Sequence, residues 1–201
     1  MLLLEDDAFA FERSFEMKRK IISITGDLSS GKTTVTKLMK EKLGYEIYRN
    51  GEYFRKLAAE KGMSVTEFNV YVEKHPEIDR QIEQSAKEYA ENRENLIIDA
   101  RLGWYAVPDS FKVYLRVDID EAAKRAYNDP DRKKTENFKT IEEQKADLIK
   151  RFNLENERYY NLYGVRKDDM SNYDFVLYTT NLTPEEVNSK IIEAYNNWLQ
   201  S

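Results

Sequence analysis

The chain has 201 residues, 41% hydrophobic and 34% charged, with 37 acidic against 32 basic side chains and a net charge of −5. That length holds one domain, at most with small inserts, around a sizeable core, and a mean hydropathy of −0.76 predicts a soluble protein with a charged, largely helical surface. The absence of cysteine excludes disulfides, thiol nucleophiles and cysteine metal sites, a single histidine, His75, removes most imidazole chemistry, and the acidic balance argues against generic binding to duplex nucleic acid.

In chain order, Met1-Leu2-Leu3-Leu4 is cut short by Glu5-Asp6-Asp7, which does not make a signal peptide. No run approaches the roughly 18 apolar residues of a membrane span, so a cytoplasmic protein with no membrane partner is expected. Residues 1–18 place Phe9, Phe11 and Phe15 among acids in no clean period. They read as an N-terminal extension, weakly ordered or packed as a short helix, ahead of one unit spanning 19–201. Short runs rich in β-branched and aromatic residues are the expected strands: Ile21–Thr25, Glu46–Tyr48, Leu96–Asp99, Val113–Val117 and Phe175–Tyr178. Capping boxes, in which a side-chain oxygen satisfies an orphan N–H and an acid three residues on reaches back, mark helix starts. Four fit: Ser64 with Glu67, Asp118 with Glu121, Thr140 with Glu143, and Thr183 with Glu186, the last with Pro184 at the first helical position. The alternation predicts an α/β domain, a mostly parallel sheet with helices on both faces, which binds ligands at the carboxyl ends of its strands.

Directly after the first strand stands Gly26-Asp27-Leu28-Ser29-Ser30-Gly31-Lys32-Thr33, followed by Thr34 and a helical pattern. This satisfies G-x-x-x-x-G-K-[ST], in which glycines let successive N–H groups converge on a phosphate at the positive end of a helix dipole. Lys32 should reach the β- and γ-phosphates and the Thr33 hydroxyl a Mg²⁺ ion. An ordinary Gly-rich turn could carry the same letters; the strand before and the helix after favour the phosphate loop. Asp99, at the tip of an apolar run, reads as a second metal-binding element facing that loop, against the plainer reading of an Asp that caps the next turn.

A kinase whose acceptor is itself phosphorylated needs cations to hold the second phosphate in line. Asn50-Gly51-Glu52-Tyr53-Phe54-Arg55 follows the second strand, Asp99-Ala100-Arg101 the third, and Arg151, Glu155 and Arg158 share one face of a predicted helix. Each arginine alone reads equally as a solvated surface charge, and Arg151 with Glu155 as a plain i,i+4 ion pair. Joint placement of Arg55 and Arg101 just after strands, at the ligand rim of an α/β sheet, favours a site. His75 before Pro76 reads as a helix boundary, and Tyr159 with Tyr163 as core packing.

The phosphate loop, Gly51-Glu52-Tyr53-Phe54-Arg55, His75-Pro76-Glu77-Ile78-Asp79-Arg80, Asp99 to Trp104, Arg151-x-x-x-Glu155-x-x-Arg158-Tyr159 and Tyr163-Gly164 occur in this order. Together they resemble the cytidylate kinase type of nucleoside monophosphate kinase, in its compact archaeal-type branch, from about Lys20 to the C-terminus. The resemblance implies a five-stranded parallel sheet, an acceptor-binding arm and a lid at about 125–140, with ATP and Mg²⁺ as cofactors and small nucleotides as partners. It places the acceptor phosphate on Arg55 and Arg101, the base near Arg158 and Glu155, and Asn50, Gly51 and Phe54 around the acceptor. It makes Arg125, Arg132 and Arg151 candidates to stabilise the transferring phosphoryl group beside Lys32. The sequence departs from the family pattern at Asn50, where Ser or Asp is usual, at Ala100, where Gly is usual, and at Asp129, in place of a second lid arginine. The reading is a kinase of CMP or dCMP; its rivals are a P-loop kinase for another small acceptor and a nucleotide-binding regulatory module without transfer activity.

Overall fold

Strand β1 (Ile21–Gly26) is buried along its whole length, as a near-continuous apolar run in a two-sided sheet must be. In a computed structural model, which describes residues 18–63, 67, 68, 71, 72, 74–130, 132–134 and 138–201, β1 is the central strand of five. The elements follow as α1 (Lys32–Leu43), β2 (Glu46–Arg49), α2 (Asn50–Glu60), α3 (Pro76–Ala90), β3 (Leu96–Asp99), the short α4 (Gly103–Ala106), β4 (Phe111–Arg116), α5 (Ile119–Asn128), α6 (Ile141–Tyr163), β5 (Phe175–Tyr178) and α7 (Pro184–Gln200). The strand order is β2-β3-β1-β4-β5, and every pairing is parallel. Chain order switches from one side of β1 to the other between β3 and β4, which opens the ligand crevice at the carboxyl end of β1.

Alternation along the strands separates two apolar layers. Ile22, Ile24 and Ile97 face α1 and α7, meeting Val35, Met39, Val187, Ile191 and Tyr195. Ile21, Leu96 and Ile98 face the other way, onto Ala86 and Ala90 of α3 and Ala106 of α4. The arm residues pack separately: Leu57 and Ala58 of α2 and Ile78 and Ile82 of α3 enclose Phe68 and Val72, with Phe54 against them.

The expected strands all form, and β4 begins two residues early, at Phe111. Phe111 pairs with Ile22 and packs its ring on Tyr195 and Trp198, which draws it into the sheet. The strand stops short of Val117 because that N–H is donated to Asp27 Oδ2 at 3.0 Å. Of the four expected caps, Thr183 makes the full reciprocal box with Glu186, with Pro184 at the first helical position. Asp118 accepts from the N–H groups of Asp120 and Glu121, and Thr140 from that of Glu143. Glu143 reaches back one residue further than expected, to the N–H of Lys139. Ser64 and residues 1–17 lie outside the described residues. His75 stands at the boundary of α3, its Nδ1 2.8 Å from Glu77 Oε1, with its ring stacked on Tyr71.

Gly26 ties the sheet to the loop that follows it. A Cβ there would sit 2.5 Å from the Leu115 carbonyl oxygen of β4, a backbone atom that cannot move aside without breaking the ladder. Gly26→Ala should therefore lower stability by about 2 kcal/mol or more, read as a fall in the urea midpoint with unchanged slope; an unchanged midpoint would show that β4 yields.

Candidate active site

The loop between β1 and α1 takes its shape from residues that accept unusual backbone angles. Ser29 (φ 62°) and Gly31 (φ 92°) lie in the left-handed region, which turns the chain so that α1 begins with no side-chain cap. The first N–H groups of α1 are orphan donors at the positive end of a helix dipole, an arrangement suited to phosphate oxygens. Among the described residues, the buried Ser29 hydroxyl has no hydrogen-bond partner. Lys32 spans the loop and donates to the carbonyls of Gly26 (2.9 Å) and Asp27 (2.8 Å). Burial, with the nearby Arg101 guanidinium, lowers its ammonium pKa to about 8, against the pull of Asp99 and Asp27. Thr33 is exposed at the start of α1.

Not every loop residue faces outward. The Asp27 carboxylate turns back onto β4, accepting from the Tyr114 hydroxyl at 2.6 Å and from Val117 N–H, while its own N–H is donated to Leu115. Leu28 packs into an apolar cluster with Val117, Ala122 and Leu148. Ser30 accepts through its carbonyl from the Thr179 hydroxyl at 3.1 Å. Asp27, Leu28 and Ser30 thus hold the loop's shape by their side chains or carbonyl, and Thr34 N–H bonds back to Gly31.

Asp99 and Arg101, at the end of β3, stand beside Lys32. Burial raises the Asp99 carboxyl pKa against the opposing charges of Lys32, Arg49 and Arg101, and Arg49 Nε lies 3.7 Å from it. Arg101 Nε donates to Glu155 Oε1 at 2.7 Å. The other oxygen of Glu155 accepts from Lys167, whose side chain is almost wholly buried. Burial alone would raise the pKa of Glu155, but the two cations overcome it and hold the carboxyl down at about 2. Glu155, expected next to the acceptor base, is thus committed to Arg101 and Lys167. Sequence gave no cue to Lys167, since Lys after a helix C-cap is an ordinary surface pattern.

Arg55 is exposed on α2, its guanidinium 3.6 Å from where a Gly51 Cβ would stand. Phe54 packs edge-on against Phe68 at 4.8 Å between ring centres, and so belongs to the arm's apolar cluster. Asn50 is buried at the start of α2, and its Nδ2 donates to Glu83 Oε1 at 3.4 Å. Arg158 Nε lies 3.3 Å from Asp79 Oδ2. Burial raises the Asp79 carboxyl pKa, and burial with the Asp79 charge raises that of Glu83 to about 8. Asp79 enters the sequence reading only within the His75–Arg80 motif, with no site role, and Glu83 does not enter it. The available signal was two acids four residues apart on the same inward stripe of α3 as Ile78, Ile82 and Ala86.

The three expected phosphoryl-stabilising arginines are placed differently. Arg125 bonds Glu121 and the carbonyls of Thr179 and Thr180, clamping α5 to the chain after β5. Arg151 lies 3.6 Å from Asp147, while Glu155 is paired elsewhere, so the plain Arg151–Glu155 pair weighed from sequence does not form. Arg132 N–H donates to Asp129 at 3.4 Å. Tyr159 is buried with Leu102 and Trp104, and Tyr163 packs beside them, as core residues should.

A parallel five-stranded sheet with a phosphate loop after its central strand defines the class, a P-loop kinase fold. The chain belongs to the cytidylate kinase-like family, which matches residues 21–181. The cytidylate kinase of Archaeoglobus fulgidus is 36% identical over 178 residues, covering 86% of this chain and 93% of its own. That of Sulfurisphaera tokodaii is 35% identical over 184 residues, covering 89% and 96%. Among solved structures, shikimate kinase from Bacteroides thetaiotaomicron matches with a TM-score of 0.63 at 16% identity, covering 89% of this chain and 97% of its own, a likeness of fold.

Glu83 gives a signed test of the site's electrostatics. Its carboxyl holds a proton up to about pH 8 in the folded state but only to about 4.5 when unfolded, so between those values the folded state binds the extra proton. Stability should fall with pH across that window by up to roughly 1.4 kcal/mol per unit. Thermal melts at pH 5, 7 and 8.5 should show Glu83→Gln gaining on the wild type as pH rises; a constant difference would show an ordinary carboxylate.

Proposed function

We propose that the chain transfers the γ-phosphoryl group of ATP to CMP or dCMP, giving ADP and the nucleoside diphosphate. The carrying observation is the juxtaposition, at the carboxyl ends of β1 and β3, of the loop cradle with Lys32 and of Arg101 held by Glu155. Membership of the cytidylate kinase-like family supports the same acceptor.

The residues fit their assigned ligands. Orphan N–H groups of the loop and α1 would take ATP phosphates, with Lys32 exchanging its two carbonyls for phosphate oxygens. The hard oxygens of Thr33 and Asp99 suit Mg²⁺, which keeps several waters and needs only one or two protein ligands. Mg²⁺, when bound, would neutralise charge on the β- and γ-phosphates. Glu155 fixes the direction of the Arg101 fork, which with the exposed Arg55 would hold the acceptor phosphate in line. An oxygen of that phosphate attacks the γ-phosphorus and the bond to the β-bridging oxygen breaks, its electron pair leaving on ADP. A phosphate monoester with a second pKa near 6 is largely dianionic at neutral pH, so no general base is required, in keeping with a site that presents no imidazole. Residues 125–140 would close as a lid that excludes water. Such work draws on the nucleotide pools of the cytoplasm; among the described residues no helix is long and apolar enough to cross a membrane.

A coupled assay of ADP release with ATP, Mg²⁺ and each NMP and dNMP should show CMP or dCMP as the best acceptor; preference for another acceptor would overturn the base assignment. Lys32→Ala should lower kcat by about a hundredfold or more, the scale of losing one charge-stabilising donor. Arg55→Ala should act mainly through the KM of the acceptor, and unchanged kinetics in either variant would remove that residue's role. Nucleotide affinity of the free enzyme should weaken as pH rises through about 8, where Lys32 loses its proton, and a fluorescent ATP analogue titrated from pH 6.5 to 9.5 reads this directly.

A further inference from the structure

Arg49 is the last residue of β2, in register with Asp99, the last of β3, so both side chains leave the sheet at its carboxyl edge. Alternation puts them on the same face as Ile47 and Ile97, the face that α1 covers and from which Lys32 enters the site. The Asp99 carboxylate feels the charges of Lys32, Arg49 and Arg101, and two of these cations are firmly committed. Lys32 donates to two loop carbonyls, and Arg101 donates to the buried Glu155. Arg49 is held more loosely. Its buried Nε stands 3.7 Å from Asp99 Oδ2, within charge attraction but beyond a hydrogen bond, and has no hydrogen-bond partner among the described residues. Its Nη1 donates at 3.1 Å to Glu52, whose side chain is 60% exposed, a surface pair of small worth. A mostly buried guanidinium with an unfilled donor is costly in the free protein, a cost that an incoming anion would offset.

We propose that Arg49 is a further substrate-binding residue, a third arginine that donates to the acceptor phosphate beside Arg55 and Arg101. The inference rests on the nucleoside monophosphate kinase reading and deepens it at that phosphate. Arg49 directly precedes α2, the helix that carries Arg55, and the Arg55 guanidinium lies over Gly51, two residues on. Arg101 follows Asp99, the register partner of Arg49, by two residues. Strand β2, helix α2 and the end of β3 thus bring three guanidinium groups to one stretch of the rim. A phosphate monoester has three terminal oxygens, and planar forks of N–H donors match them. On binding, Arg49 turns its Nε from Asp99 to a phosphate oxygen, which frees the Asp99 carboxylate for the metal role proposed above.

The test compares the binding of CMP with that of cytidine, which lacks only the phosphate, by competition in the wild type, Arg49→Ala and Arg49→Lys. Arg49→Ala should reduce the affinity ratio of CMP to cytidine by about tenfold or more, the scale of a charge-assisted hydrogen bond. Arg49→Lys keeps a charge beside Asp99, and so the fold, but lacks the fork; it should still lose the ratio by about threefold or more. In turnover, both variants should raise the KM for CMP and leave that for ATP in place. A purely structural Arg49 would weaken CMP and cytidine alike. That outcome, or a wild-type ratio in the folded Lys variant, overturns the assignment while CMP turnover by the wild type stands. Turnover of no nucleoside monophosphate by the wild type overturns the kinase reading beneath it.

Discussion

The site depends on a carboxylate buried between two cations. Glu155 accepts from Arg101 on one side and Lys167 on the other, joining the end of β3, the middle of α6 and the chain beyond it. Removing one partner of such a buried network leaves uncompensated charge at a cost of roughly 3–5 kcal/mol. Here the cost would fall on the ligand rim itself, because Arg101 and Lys167 both act on Lys32. The rim is a crowd of positive charge, balanced by Glu155 and Asp99 and left with loop N–H groups to satisfy. A polyanion would complete that balance, so the electrostatics of the free site suit it to the phosphates of the proposed ligands.

The acceptor side is built on different physics. Its helix α3 meets the sheet through Ala86 and Ala90, while α2 and α3 together carry their own apolar cluster around Phe68. One face of α3 therefore does two jobs: Ile78 and Ile82 hold the arm together, and beside them on the stripe Asp79 meets Arg158 of α6 and Glu83 meets Asn50 of α2. The long helix α6 reaches both sides, through Glu155 to Arg101 at the end of β3 and through Arg158 to Asp79 of α3. Being one rigid rod, it sets the distance between them.

Much of the architecture was legible because it rests on local rules. β-Branched runs, the phosphate loop and the Thr183 box each carry their own stereochemical cause, and all five expected strands and that cap form. The edges were less legible: β4 starts at Phe111 because of aromatic packing from α7, a long-range contact that no local window contains. Within the site, charge pairing was the hidden quantity. Arg151 and Glu155 are four residues apart on one helix, yet each is paired with another residue, since Lys167 and Arg101 reach Glu155 from elsewhere in the chain. The carboxylates of α3 were hidden by their type, because acids on a helix read as solvent-facing until burial shows otherwise. Asp27 illustrates the same limit: its place in the loop is given by the motif, and its bonds to Tyr114 and Val117 by the sheet alone.

The most direct test of this division of labour is the crystal structure of the enzyme with CMP and ADP bound. The account predicts the CMP phosphate on Arg55 and Arg101, with Glu155 still paired with Arg101 and Lys167. An acceptor phosphate seated away from Arg101, or a Glu155 released from both cations, would contradict it.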